Sequence, residues 1–122
     1  MRNSLINLNG RTTLDLAALV AGILLFVAPW ALGFAAAGGA AWNAWIVGGA
    51  IALVALGALV AFNAYEEWAN LALGLWAAVA PLALGFADQA SALWTHVVLG
   101  LVVAALAAGR LWAGTSRPAS HA

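Results

Sequence analysis

Few side chains in this sequence have the chemistry to act on another molecule, and their spacing decides what each is able to do. Ser91, Thr95 and His96 fall within six positions and combine hydroxyl nucleophiles with an imidazole base. Nucleophilic catalysis also needs a third polar group to orient the base, and none is evident. Ser91 is better read as the N-cap of a helix. His96 is the histidine near an apolar run, His121 lying in the terminal segment. Haem held between helices usually takes two axial ligands, so His96 reads as a polar residue close to an interface. The carboxylates are Asp15, Glu66, Glu67 and Asp88. Thr12 with Asp15, and Asn63 with Glu66, have capping-box spacing at a helix start, where the dipole favours negative charge. No carboxylate falls in mid-run, where a proton-coupled carrier keeps its ion-binding group. Cysteine is absent, which removes disulfides, thiolate chemistry and thiol-linked redox. Phosphate-binding glycine loops, metal-ligand clusters and nucleic-acid motifs are missing too. The residues therefore point away from an enzyme and imply no cofactor, no metal and no nucleic-acid partner.

Composition says what must position these groups. The 122 residues are 66% hydrophobic and 7% charged, with zero formal net charge, far from the globular norm of about 45–50% apolar and about 25% charged. No charge occurs from Leu16 to Tyr65, from Trp68 to Ala87 or from Gln89 to Gly109. A helix of about 20 residues crosses the roughly 30 Å hydrocarbon core at about 1.5 Å per residue. The first run is long enough for two crossings, with Gly38-Gly39 as the break. The sequence thus predicts an all-α membrane protein with spans near Leu14–Phe34, Trp42–Phe62, Glu67–Phe86 and Ala92–Trp112. A signal peptide competes for the first segment, because Arg2 and Arg11 precede an apolar run and Ala35-Ala36-Ala37 follows it. Its run exceeds the about 7–15 residues of a signal core.

The stretch Ala28-Pro29-Trp30-Ala31-Leu32-Gly33-Phe34 returns as Ala80-Pro81-Leu82-Ala83-Leu84-Gly85-Phe86, displaced by 52 positions, 81 less 29. At that offset Asp15 meets Glu67, Gly22 meets Gly74, Trp42 meets Trp94, Gly48 meets Gly100 and Gly57 meets Gly109. Such gapless self-similarity reads as a tandem duplication. The organisation expected is an N-terminal segment 1–13, a first hairpin repeat 14–63, a second 64–113 and a disordered tail 114–122. Two spans per repeat make the repeats parallel, related by an axis along the membrane normal.

Arg2, Arg11, Arg110 and Arg117 flank the first and last spans. An even number of spans puts them on one side, and the positive-inside rule makes that side cytoplasmic. Trp30, Trp42, Trp45 and Trp94 then fall near the outer interface, and Tyr65, Trp68 and Trp112 near the inner one, as an aromatic belt does. Trp76 sits in mid-span, where packing against a neighbouring helix is expected. Small residues four apart let helix backbones approach, as in Ala44-Gly48-Ala52, Asn70-Gly74-Ala78 and Gly100-Ala104-Ala108. Pro29 and Pro81 each free a carbonyl, Leu25 and Ala77, so a fixed bend is expected there. Trp42, Trp45, Trp94 and the Asn43 amide are candidate donors to those carbonyls.

At Ala28-Pro29-Trp30 with Leu32-Gly33-Phe34, followed by Trp42-Asn43 and Gly48, the chain resembles the SPW repeat of small bacterial membrane proteins. The resemblance covers about Leu14 to Ala113, with Pro81, Gly85, Phe86, Trp94 and Gly100 as the second set. Ala28 and Ala80 replace the signature Ser, and Leu82 replaces the second Trp. It implies an integral membrane location and this architecture; it supplies no activity, catalytic residue or cofactor. The reading that follows is a multi-pass protein of the bacterial inner membrane, with both termini cytoplasmic. It acts through its helix faces as an accessory or scaffold subunit, its partners being the lipid bilayer and a membrane protein or further copies of itself. A small oligomeric transporter or channel, and a membrane stress or lipid-packing protein, are the alternatives.

Overall fold

The computed structural model describes residues 10–36, 38–60 and 64–116, and side chains within 13–36, 38–60 and 65–112. Four helices account for nearly all of it: α1 Gly10–Ala31, α2 Gly39–Val60, α3 Ala64–Ala83 and α4 Ala90–Ser116. Asn63 as a cap, the residues before Gly10 and those from Arg117 onward lie outside the described residues. Each helix packs on its neighbours in sequence and α1 also packs on α4, closing a ring of four, while diagonally opposed helices hardly touch.

The helices are apolar because nearly every position is. That gives length without a readable inner face. Thr13–Ala31, Gly39–Val60 and Ala90–Trp112 are each long and apolar enough to cross a membrane. The 20-residue α3 is long enough, at about 1.5 Å per residue, but its first two turns carry Glu66, Glu67 and Asn70.

Both odd helices end three residues earlier than the apolar runs imply, at Ala31 and Ala83. The cause is the Leu-Gly-Phe triplet. Gly33 and Gly85 take φ of 83° and 80°, left-handed backbone that favours glycine. The amides of Phe34 and Phe86 then donate back to the carbonyls of Pro29 and Pro81, at 2.8 and 2.9 Å. This six-to-one bond at a left-handed glycine is the long-range bond of a Schellman cap. The repeated heptapeptide is thus a helix stop. Neither the Trp45 indole nor the Asn43 amide nitrogen has a hydrogen-bond partner, so neither serves the carbonyls below the prolines. Trp42 and Trp94 point outward at 62% and 61% exposure.

Close approach within each hairpin comes from a pair of glycines. A Cβ on Gly22 would lie 2.7 Å from the Ala52 nitrogen and 2.9 Å from the Gly48 carbonyl oxygen. A Cβ on Gly48 would lie 2.6 Å from the Phe26 nitrogen and 2.8 Å from the Gly22 oxygen. In the second hairpin, Gly74 meets the Ala104 nitrogen and Gly100 oxygen at 2.6 and 2.7 Å, and Gly100 meets the Ala78 nitrogen and Gly74 oxygen, both at 2.6 Å. The small-residue rows of α2, α3 and α4 therefore serve seams inside each hairpin, with Leu25, Ile51 and Val103 filling the core between alanines.

Helix starts differ from the capping pattern. α1 begins at Gly10, so Asp15 lies beyond its first turn and Thr12 is no cap. α4 begins at Ala90, so Ser91 is inside the helix, and its last turns continue to Ser116, into the stretch expected to be a disordered tail.

Candidate functional site: a buried ion cluster and a buried histidine

Two polar groupings lie inside the bundle, one at each end. The first is formed by the chain's own duplication. Asp15 on α1 and Glu67 on α3 are repeat equivalents on diagonally opposed helices, and both reach Arg110 near the end of α4. Arg110 Nε donates to Asp15 Oδ2 at 3.1 Å, and Nη2 stands 3.1 Å from the same oxygen. Arg110 Nε is 3.8 Å from Glu67 Oε2. All three residues are buried. Burial is affordable for such charges only when they are paired, and the pairing ties three helices together across the ring. Asn70, one turn beyond Glu67 on the same helix, is also buried.

Sequence reasoning assigned Asp15 and Glu67 to capping and Arg110 to the set of topogenic charges. The structure corrects all three, because a side chain in an internal ion cluster neither caps a helix nor presents a free charge at a membrane surface. The missed signal was the pairing itself: two equivalent carboxylates at the starts of odd helices, and one Arg at the matching end of the last helix. Glu66 sits beside α2, its Oε2 2.8 Å from where a Gly57 Cβ would be.

The second grouping is at the opposite end, built on the two helix stops. Phe34 and Phe86 follow the left-handed glycines and both turn inward onto His96, with ring centroids 6.4 and 4.8 Å from the imidazole. His96 is fully buried, near one end of the bundle. Its Nδ1 is 2.8 Å from the Ala92 carbonyl oxygen; that oxygen only accepts, so the proton is assigned to Nδ1. Nε2 has no hydrogen-bond partner. Thr95 donates its hydroxyl to the Ser91 carbonyl at 2.6 Å, and Ser91 itself is exposed. Ser91, Thr95 and His96 therefore do not assemble a nucleophile with its base.

Of the other motif residues, Asn43 accepts a hydrogen bond from the Trp76 indole nitrogen at 2.9 Å. Trp76 thus links α3 to α2, as a packing role requires. Trp30 packs tilted against Trp45 and Trp42 meets it edge-on, with centroids 5.2 and 5.3 Å away, and Phe26 extends the cluster through Trp30. Pro29, Pro81, Gly33, Gly85, Phe34 and Phe86 build the stops, and Gly48 and Gly100 the seams; Trp94 is a surface residue. Among the described residues, no group of three His, Cys, Asp or Glu side chains is placed to hold a metal. A groove of about 260 Å³ opens between α1 and α4, lined by Leu24, Val27, Leu32, Thr95, Val98 and Leu99 among others.

An all-helical bundle with three helices long and apolar enough to cross a bilayer is that of a membrane protein in class. The chain belongs to the SPW repeat family: the model of the SPW repeat domain matches residues 12–110. Comparison with curated proteins and with solved structures finds no match.

Proposed function

We propose that this protein is a non-catalytic accessory or scaffold subunit of a bacterial inner membrane, engaging a membrane partner through the outer faces of its helices. In this reading α3 crosses with the other three helices, and the two hairpins are parallel tandem repeats. The observation that carries it is how the side chains divide. Buried polar groups lie inside the bundle at its two ends, while large apolar side chains such as Leu53 and Val60 are 71% and 78% exposed. The groove between α1 and α4 is nearly all apolar and opens sideways, smaller than the roughly 300 Å³ at which ligand pockets begin. It fits an apolar side chain or a lipid chain better than a soluble substrate.

Support for the repeat reading comes from equivalent contacts at the 52-residue offset: the same glycine seams and the same helix stops. Support for cytoplasmic termini comes from Arg2, Arg11 and Arg117, now without Arg110, whose charge is matched internally. A small oligomeric transporter or channel is the second reading, favoured by the buried Asp15, Glu67 and Asn70. Against it, these groups and His96 lie at opposite ends of the bundle.

The test is purification from the native membrane in mild detergent through a C-terminal tag, with mass spectrometry of everything retained. A stoichiometric membrane-protein partner is the expected result. Recovery of this chain alone, as a defined oligomer, contradicts the accessory reading and favours transport.

A further inference from the structure

The ion cluster is not balanced by the groups that form it. Two carboxylates and one guanidinium leave one negative charge over if all are ionised, and an uncompensated charge in a buried site is strongly disfavoured. The hydrogen-bond inventory shows the same deficit. Glu67 Oε2 and Asn70 Oδ1 are buried oxygens without a hydrogen-bond donor, and they belong to residues three apart, which share a face of α3. Both residues are at most 2% exposed.

One added proton answers both observations, since it cancels the excess charge and supplies a donor beside two acceptors that lack one. We propose that the Asp15, Glu67 and Arg110 cluster is a proton-binding site, holding one proton on Glu67 at neutral pH. Among the described residues, the groups that face it are Asp15 from α1, Glu66 and Asn70 from α3, and Arg110 from α4. The α2 helix contributes no titratable residue, and His96 stands at the other end beside Phe34 and Phe86. Proton binding is separate from partner docking, because the cluster is internal and the docking faces are external.

The expected linkage has a definite sign. Unfolding exposes the carboxyls to water and releases the proton, so raising the pH favours the unfolded chain. Where the folded chain holds one more proton than the unfolded one, the folded-to-unfolded ratio falls about tenfold per pH unit. The experiment is infrared spectroscopy of the purified full chain in detergent micelles at neutral pH, paired with unfolding measured across a pH series in sodium-free buffer. A protonated-carboxyl band is expected that moves when glutamate is isotope-labelled, persists in Glu66→Gln and disappears in Glu67→Gln. The tenfold pH dependence should vanish in Glu67→Gln as well. The native spectrum decides alone if Glu67→Gln does not fold: absence of a glutamate-derived protonated band at neutral pH overturns the proposal. So does a wild-type chain whose stability is flat with pH, or a band that sodium abolishes at constant pH, since a metal cation would then occupy the site.

Discussion

Replacing Gly74 with alanine tests the packing at its tightest point. The new Cβ would lie 2.6 Å from the Ala104 nitrogen and 2.7 Å from the Gly100 oxygen, whereas carbon contacts settle near about 3.5–4.0 Å. Both obstacles are backbone, so no rotamer change relieves them. The seam must open by roughly 0.8–1 Å, and a gap of that size forfeits about a quarter to a half of the dispersion energy of the contacts it separates. Overpacking of this kind costs about 1–3 kcal/mol, set against a gain of about 0.8–1 kcal/mol from alanine's helix propensity over glycine. Because both obstacles are backbone, the upper part of that overpacking range, about 2–3 kcal/mol, applies, so a net loss of about 1–2 kcal/mol is expected, and the same for Gly22→Ala, Gly48→Ala and Gly100→Ala. Gly109→Ala is the control: its Cβ would meet Leu14 Cδ1 at 3.7 Å, ordinary contact, so it should be neutral or stabilising by up to about 1 kcal/mol. Unfolding in mixed micelles by titration with a denaturing detergent, followed by tryptophan fluorescence, gives both values. Gly22→Ala with Gly74→Ala, in separate seams, should add to within about 0.5 kcal/mol. A Gly74→Ala chain as stable as the wild type, or a Gly109→Ala chain as damaged as Gly74→Ala, refutes the reasoning.

Other expectations follow from single contacts. Arg110→Met leaves the buried Asp15 and Glu67 pair without its cation and should destabilise by about 3–5 kcal/mol, while the triple variant Asp15→Asn, Glu67→Gln, Arg110→Met should recover most of the loss; the same unfolding titration checks both. Gly33→Ala and Gly85→Ala force alanine into left-handed backbone at about 1–2 kcal/mol each, and should raise amide hydrogen exchange at Phe34 and Phe86 first. Trp76→Phe removes the donor to Asn43 and should cost about 0.5–1.5 kcal/mol, with no further loss when Asn43→Ala is added.

The helices and turns were legible because charge-free stretches of bilayer length and glycine pairs are local signals. The duplication was legible because it is a string comparison. What failed to show was which side of each helix faces inward. Alanine, leucine and valine occupy both sides of α2, so Ile51 and Leu53 look alike in sequence although one is buried and the other 71% exposed. Asp15 and Glu67 were ambiguous for a different reason: a cap and an internal ion pair both put a carboxylate near a helix start. The partner that separates the two readings, Arg110, is 95 residues from Asp15. Pro29 and Pro81 invited a bend or hinge because proline breaks helices, yet the glycine four residues on, with φ near 80°, makes the same stretch a terminus. His96 looked interfacial because its distance along the helix from the turn was readable, while the two phenylalanines that cover it come from the turns that follow α1 and α3.

Membrane topology is the measurement on which the account turns. Gly39→Cys, Asn63→Cys, Asp88→Cys and Ser116→Cys, made singly in this cysteine-free chain, are exposed to a membrane-impermeant thiol reagent in intact cells and again after permeabilisation. Four crossings with cytoplasmic termini require Gly39→Cys and Asp88→Cys to label from outside, and Asn63→Cys and Ser116→Cys only once the membrane is opened. Labelling of Asn63→Cys from outside, or protection of Asp88→Cys, contradicts the two-hairpin arrangement and with it the placement of the ion cluster at the cytoplasmic end.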